Sequence, residues 1–324
     1  MTELKCLSDR LEYSINRMDQ LVEFVKKDEF ISRLDDICVY ITGSYGRGEA
    51  HSESDVDIFF VKSGSEETNK FTNVDKALLD AAIIKTCRDL GFPEFTGGGE
   101  YLNIHYVDDI LSELGGPKDD FLNYFTARML LLLESKPIIL PDLYDQIIGQ
   151  MIDSYYRDYH EHESEFIPVF LVNDIHRYWR TMCLNYEHRR NRTRVDKNKS
   201  HIKNFKLKFS RMLTCFSMIA CIHFLGNQCS KEEILKIVKL SPLERLDLVA
   251  DAKPDLAPLI FRMKKEYNWF MERTGRPNRE VVKWISNRRN RDSAFARARK
   301  FGDMFYELLQ KISGEDDTVR YLVI

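Results

Sequence analysis

Gly43–Asp57 reads GSYGRGEAHSESDVD. Before it lies Ile37–Ile41 (ICVYI), a short apolar run rich in β-branched residues and closed by a glycine, which predicts a buried strand. At its end begins Val56–Val61 (VDIFFV), a second run of the same kind. The glycine-rich turn between them starts at Gly43-Ser44, and Arg47–Ser52 is expected to carry a short helical piece. A residue without a Cβ lets backbone N–H groups approach a ligand unhindered. With the Ser44 hydroxyl and a following helix N-terminus, those donors would form a concave anion site. Asp55 and Asp57 flank Val56 as the second strand begins, so they face the same side. Two carboxylates held that close repel each other and need a cation. Oxygen donors of this type suit Mg²⁺, which keeps waters and bridges to phosphate oxygens. A phosphate cradle beside paired carboxylates is what phosphoryl-type transfer requires.

Outward from this stretch, apolar spacing over residues 2–28 (Leu7, Leu11, Ile15, Met18, Leu21, Val22, Val25) predicts a helix. Val74–Leu90 reads as a helix closed by Gly91 and Pro93, Thr96–Gly99 as a glycine turn, and Tyr101–Tyr106 as a third strand. Beyond that the β signals fade. Asp119–Glu134, Asp142–Tyr159, Pro168–Arg189, Lys203–Leu225 and the later segments read as helical, with a loop over Arg190–Ser200. The expected fold is α+β: a small mixed-sheet core over residues 1–140, then an all-helical domain over 141–324 that clamps nucleotide and substrate.

The composition fits a globular protein. Net charge is −3, yet Glu187–Arg211 and Arg273–Lys300 each hold ten basic against two acidic residues. Such segments suggest an anionic ligand, or else solvated helix faces. Seven dispersed cysteines form no C-x-x-C pair, which speaks for reduced thiols and against a zinc knuckle. The strongest apolar stretch, Met129–Leu133, is far short of a membrane span, and MTELKCLSDR lacks the apolar core of a signal peptide. A cytoplasmic protein with no membrane partner is expected.

The composite G-S … D-x-D pattern resembles the polymerase-β-like nucleotidyltransferase superfamily. Its Y-G-R-G-E stretch (Tyr45–Glu49) is similar to the uridylyltransferase domains that act on nitrogen-regulatory PII proteins, although Gly43-Ser44 stands where that family often has Gly-Gly. The resemblance is clear over residues 37–61 and looser over 62–110. It implies an NTP substrate bound with two Mg²⁺ ions (Mn²⁺ as an alternative) and transfer of NMP with release of pyrophosphate. Gly43 and Ser44 would hold the β/γ-phosphates, and Asp55 and Asp57 would be the first two metal ligands. The superfamily's third acid, which binds metal and accepts the nucleophile's proton, would be Glu100. Arg47 either reaches phosphate or forms an ion pair with Glu49 or a nearby acid. By analogy with enzymes whose post-core helix supplies a Lys and a Ser to the triphosphate, Lys206, Lys208 and Ser210 are candidates.

Two further features stay open between function and structure. The stripe Asn173, Asp174, Arg177, Thr181 and Asn185 either lines a nucleotide cleft or forms a polar helix seam. Arg276–Lys300, with Trp284 and Phe295 among its arginines, either holds a nucleic-acid strand or is a surface helix with its aromatics turned inward. His160–Glu163 lacks metal-ligand spacing. No Walker A, G-x-S-x-G or H-E-x-x-H pattern occurs. The acceptor expected is a protein side chain or an RNA 3′ end, with a small hydroxylated molecule such as an aminoglycoside or a second NTP as alternatives. A non-catalytic nucleotide sensor on the same fold is the rival reading.

Overall fold

The computed structural model describes residues 4–95, 102–159, 166–190 and 197–313. They form two compact units, Asp9–Arg157 and Met1–Ser8 with Asp158–Ile324. Glu100, Thr96–Gly99 and His160–Glu163 lie outside the described residues.

The first unit is built on a four-stranded sheet of order β3-β2-β1-β4. β1 (Ile37–Thr42) is apolar on both faces, and all six of its residues are buried. It pairs antiparallel with β2 (Asp57–Lys62), in a register running from Ile37↔Lys62 to Thr42↔Asp57. β2 pairs parallel with β3 (Ile104–Tyr106), starting at Phe60↔Ile104. On one face Ile37, Val39, Ile41, Ile58 and Phe60 meet Leu21 and Val25 of α1 (Lys5–Val25) and Leu79 and Ile83 of α3 (Asn73–Asp89). Each such buried aliphatic or aromatic side chain contributes roughly 1.5–3 kcal/mol. On the other face Tyr40 stacks on Phe59 at 5.7 Å and meets Tyr144 at 6.5 Å.

Four local expectations change. The helical piece lies over α2 (Gly43–Gly46) and not over Arg47–Ser52, because the turn closes at once after β1. The helix expected over Asp119–Glu134 is two, α5 (Pro117–Phe121) and α6 (Tyr124–Glu134), broken where Asn123 takes a left-handed φ of 60°. α4 (Val107–Ser112) precedes them. After α6 the chain adds β4 (Lys136–Ile139) on the free side of β1, a strand absent from the sequence reading. α7 (Pro141–Tyr155), assigned to the helical half by sequence, packs on β1 and β4.

The stripe that α1 buries is also rotated from the expected one. Leu11 and Ile15 are 47% and 50% exposed, whereas Arg10 and Ser14 are 7% and 1% exposed. Both polar residues are buried because they serve the loop described below.

The second unit is helical throughout its described residues. It includes α8 (Val169–Arg190) and α9 (Lys197–Lys206), which continues through a π-helical turn (Leu207–Arg211) into α10 (Met212–Leu225). α11 (Lys231–Lys239), α12 (Pro242–Ala252), α13 (Ala257–Thr274), α14 (Asn278–Ser286) and α15 (Arg288–Ser313) complete it. Among the described residues, Lys197–Leu225 is the one stretch long and apolar enough to cross a membrane, and 72% of its apolar window is buried inside the protein. Phe209 stacks on Phe270 and on Phe301, each at 4.8 Å. Arg245 is fully buried and donates to the Ile237 and Val238 carbonyls, capping the end of α11.

Each unit also buries a neutral histidine. Burial lowers the His105 imidazole to about 4. In the second unit burial, with His176 adding to it, lowers His223 to about 4. In an unfolded chain a histidine titrates near ~6.5. Between those values the unfolded state takes up protons that the native state refuses. Stability is therefore full above about pH 6.5 and falls as pH drops toward about 4. Urea unfolding at pH 7.5 and pH 5 should show this loss, and the double variant His105→Leu/His223→Leu should show less of it.

Candidate functional site

β1 carries the chain to Thr42, which is extended (φ −124°, ψ −165°), and the backbone then reverses at Gly43 with φ +68°. Only glycine occupies that region without cost. Thr42 is the cross-strand partner of Asp57, and its hydroxyl donates to the Asp57 carbonyl at 3.4 Å. The pairing places the Asp57 side chain against the turn. A Cβ built on Gly43 would stand 2.6 Å from Asp57 Oδ2, well inside van der Waals contact. The Asp57 carboxylate thus lies against the bend at Gly43. Gly46 has a separate role: a Cβ there would overlap the Glu134 carbonyl, so α2 can touch the end of α6 only through a glycine.

The loop from Arg47 to Val56 is held at several points. The Arg47 and Glu49 amides donate to the Gly43 and Ser44 carbonyls at 3.1 and 2.7 Å. Arg10 Nη1 donates to the Glu49 carbonyl at 2.8 Å, and the Ala50 amide donates to Ser14 Oγ at 2.9 Å. The His51 amide donates to Ser54 Oγ at 2.9 Å, and the Ser54 amide returns to the His51 carbonyl at 2.9 Å. From this anchored turn the chain emerges with alternating burial: Asp55 exposed, Val56 buried, Asp57 exposed, Ile58 buried. Asp55 and Asp57 therefore share the solvent side, as strand periodicity requires.

Arg47 stands beside the turn but is 8% exposed. Its Nε donates to Glu49 Oε2 at 2.8 Å and its Nη1 to Glu134 Oε2. Of the two roles open to it, the structure displays the ion pair. Its guanidinium is held by two buried carboxylates and ties α2 to α6. Arg10, Ser14 and Glu134 were not singled out from sequence. Their signals were two polar residues within the buried stripe of α1 and a carboxylate directly after the apolar run Met129–Leu133.

Residues 19–129 match the family model of a nucleotidyltransferase domain. The chain accordingly carries such a domain and is a transferase of nucleotidyl groups. The match runs from within α1 into α6 and contains Gly43, Ser44, Asp55, Asp57 and position 100. It ends before Glu134 and does not extend into the helical unit. No curated protein matches the chain.

Lys206, Lys208 and Ser210 belong to the helical unit. Lys206 is exposed in the last turn of α9, and Lys208 and Ser210 fall in the π-helical turn. Ser210 is 6% exposed, and its hydroxyl has no hydrogen-bond partner among the described residues. Within the expected stripe, Asp174 is buried and accepts from Arg177 at 3.3 Å, while Asn173 and Asn185 are exposed.

No group of three or more His, Cys, Asp or Glu with metal-binding geometry occurs among the described residues. Two exposed carboxylates on one face, beside the Gly43 bend, do fit Mg²⁺. That ion is commonly held by one or two carboxylates plus substrate phosphates, not by an all-protein cage.

Two outcomes are expected. Gly43→Ala should cost about 1–2 kcal/mol of stability through its left-handed φ. It should also weaken binding of a fluorescent NTP analogue in Mg²⁺ at least tenfold, because the new methyl displaces Asp57. Arg47→Met should also weaken NTP binding several-fold, because the turn that carries Ser44 loses its anchor to Glu49 and Glu134. It should lower the unfolding free energy by about 3–5 kcal/mol, because Glu49 and Glu134 lose their cation in a buried setting.

Proposed function

We propose that the protein transfers NMP from an NTP to an acceptor hydroxyl, with Mg²⁺ held by Asp55 and Asp57 and the β/γ-phosphates held by Gly43 and Ser44. The observation that supports this reading is that Asp57 Oδ2 lies where a side chain at position 43 would begin, 2.6 Å from a Cβ built there. It supports a reading in which anion donors and cation ligands serve one bound triphosphate. When bound, the ions would neutralise charge on the triphosphate and favour ionisation of the attacking hydroxyl.

The chain's own residues do the positioning. The Gly43 turn and Ser44 Oγ orient the terminal phosphates so that the α-phosphorus lies at the carboxylates. The acceptor oxygen forms a bond to the α-phosphorus, the bond to the bridging oxygen breaks, and pyrophosphate leaves with the electron pair. The hydroxyl proton passes to a carboxylate, a role we assign to Glu100, in keeping with the superfamily resemblance. Arg47 acts at one remove, by fixing the turn that carries Ser44.

Either acceptor class, a protein side chain or an RNA 3′ end, presents the hydroxyl this step needs. The likeness of Tyr45–Glu49 to the PII-modifying domains supports the first. The two basic segments support the second. None of the seven cysteines is in a disulfide, and five of them are buried, which supports a reducing, cytoplasmic setting.

Asp57→Asn should abolish label transfer from α-³²P-NTP in Mg²⁺ and keep the native melting temperature or raise it slightly, since an exposed anion beside Asp55 is removed. Retention of transfer by a folded Asp57→Asn protein would exclude the carboxylate pair as the catalytic centre.

A further inference from the structure

We propose that the helical unit carries a binding surface for a nucleic-acid phosphodiester backbone, formed by α9 and the first half of α15. Lys197, Lys199 and Lys203 are exposed on α9; Arg289 and Arg299 are exposed and Arg291 half-buried on α15. The ion pairs of this region join Arg288 to Asp292 at 3.6 Å and Arg297 to Glu266 at 2.7 Å. The six named cations have no carboxylate partner among the described residues. The two helices are in contact, with His201 of α9 packed edge-on against Phe295 of α15 at 6.1 Å. Cations from both helices act on the same imidazole: His201 is held below its usual value by burial first, then by Arg291 and Lys197.

A protein of net charge −3 has ample acid to neutralise such a cluster internally, yet these cations are left to solvent. Gathering like charges on adjoining helices is unfavourable unless an external polyanion compensates them. The extent favours a polymer over a small anion, because Arg289 to Arg299 alone spans about 15 Å at the helical rise. A bilayer fits less well. No large apolar side chain is exposed on either stretch, so the anchor that an interfacial helix inserts is missing. Trp284 and Phe295 pack inward, against Trp269 at 6.2 Å and against His201. Contact is therefore with phosphates and not by base stacking, and binding is indifferent to sequence. This deepens the transfer reading by making a nucleic acid the acceptor class. It rests on that reading only for the fate of the bound strand.

The test is fluorescence anisotropy of the full chain with fluorescein-labelled 20-nucleotide RNA and DNA, without NTP, across a salt series. Poly-glutamate and phosphatidylserine vesicles serve as competitors. Single-stranded RNA or DNA of two unrelated sequences should bind equally well and weaken steeply with salt. Whichever of RNA and DNA binds more tightly identifies the strand. Lys199→Gln/Lys203→Gln/Arg291→Gln should bind at least tenfold more weakly, with the log–log salt slope flattened by roughly two units. Arg33→Gln/Lys70→Gln/Lys85→Gln, which removes the same charge from the sheet unit, should bind as wild type. Undetectable binding, equal loss in both triple variants, or displacement by poly-glutamate or vesicles at lower concentration than by unlabelled strand overturns the proposal. None of these results touches NTP binding at Gly43 and Asp57, so the two readings fail separately.

Discussion

The placement of the Asp57 carboxylate in the space that a side chain at position 43 would occupy is the constraint from which the rest of the sheet unit takes its meaning. It exists because β1 and β2 pair as far as Thr42↔Asp57, and because the residue that reverses the chain has no side chain to fill the space. The bend and the acid to which we assign anion and cation binding are thereby brought together by backbone geometry. Side-chain choice then adds Asp55, two residues before Asp57 and exposed on the same face.

Such a short-range arrangement holds only if the connecting loop is fixed, and three elements fix it. α1 supplies Arg10 and Ser14, which bond the backbone at Glu49 and Ala50. α6 supplies Glu134, which with Glu49 holds Arg47. The Ser54–His51 turn closes the loop just before Asp55. A charged network this deep in a protein gains little over an apolar one in stability. Its value here is positional: it ties the residue after α2 to the end of α6 and so holds the turn that contains Ser44. Elsewhere in the unit a second buried pair, Arg128 with Asp119 at 2.9 Å, joins α5 to α6 across the break at Asn123.

The parts of this arrangement legible in sequence were those governed by short periods. Alternation over Asp55–Ile58 and the apolar run Ile37–Ile41 gave both central strands and the common face of the two aspartates. What was not legible depends on partners far along the chain. β4 is four residues containing a proline, too short to read without knowing that the edge of β1 awaits it. The burial of Arg10 and Ser14 follows from a loop some 40 residues away, so on sequence alone Leu11 and Ile15 looked like the inner face. Arg47 had two readings, and the choice between them rested on Glu134, 87 residues distant. Lys206, Lys208 and Ser210 came from analogy, and their unit is held together by its own aromatic core.

The central claim is that Gly43-Ser44 and the pair Asp55–Asp57 grip one metal-loaded triphosphate. A crystal structure of the full chain with Mn²⁺ and an NTP analogue that cannot be cleaved between the α- and β-phosphates tests it most directly, since Mn²⁺ reveals itself by anomalous scattering. The account predicts an anomalous peak within coordination distance of both carboxylates, with the terminal phosphates on the Gly43 and Ser44 amides. A triphosphate bound elsewhere, or manganese that avoids Asp55 and Asp57 while nucleotide is present, would contradict it.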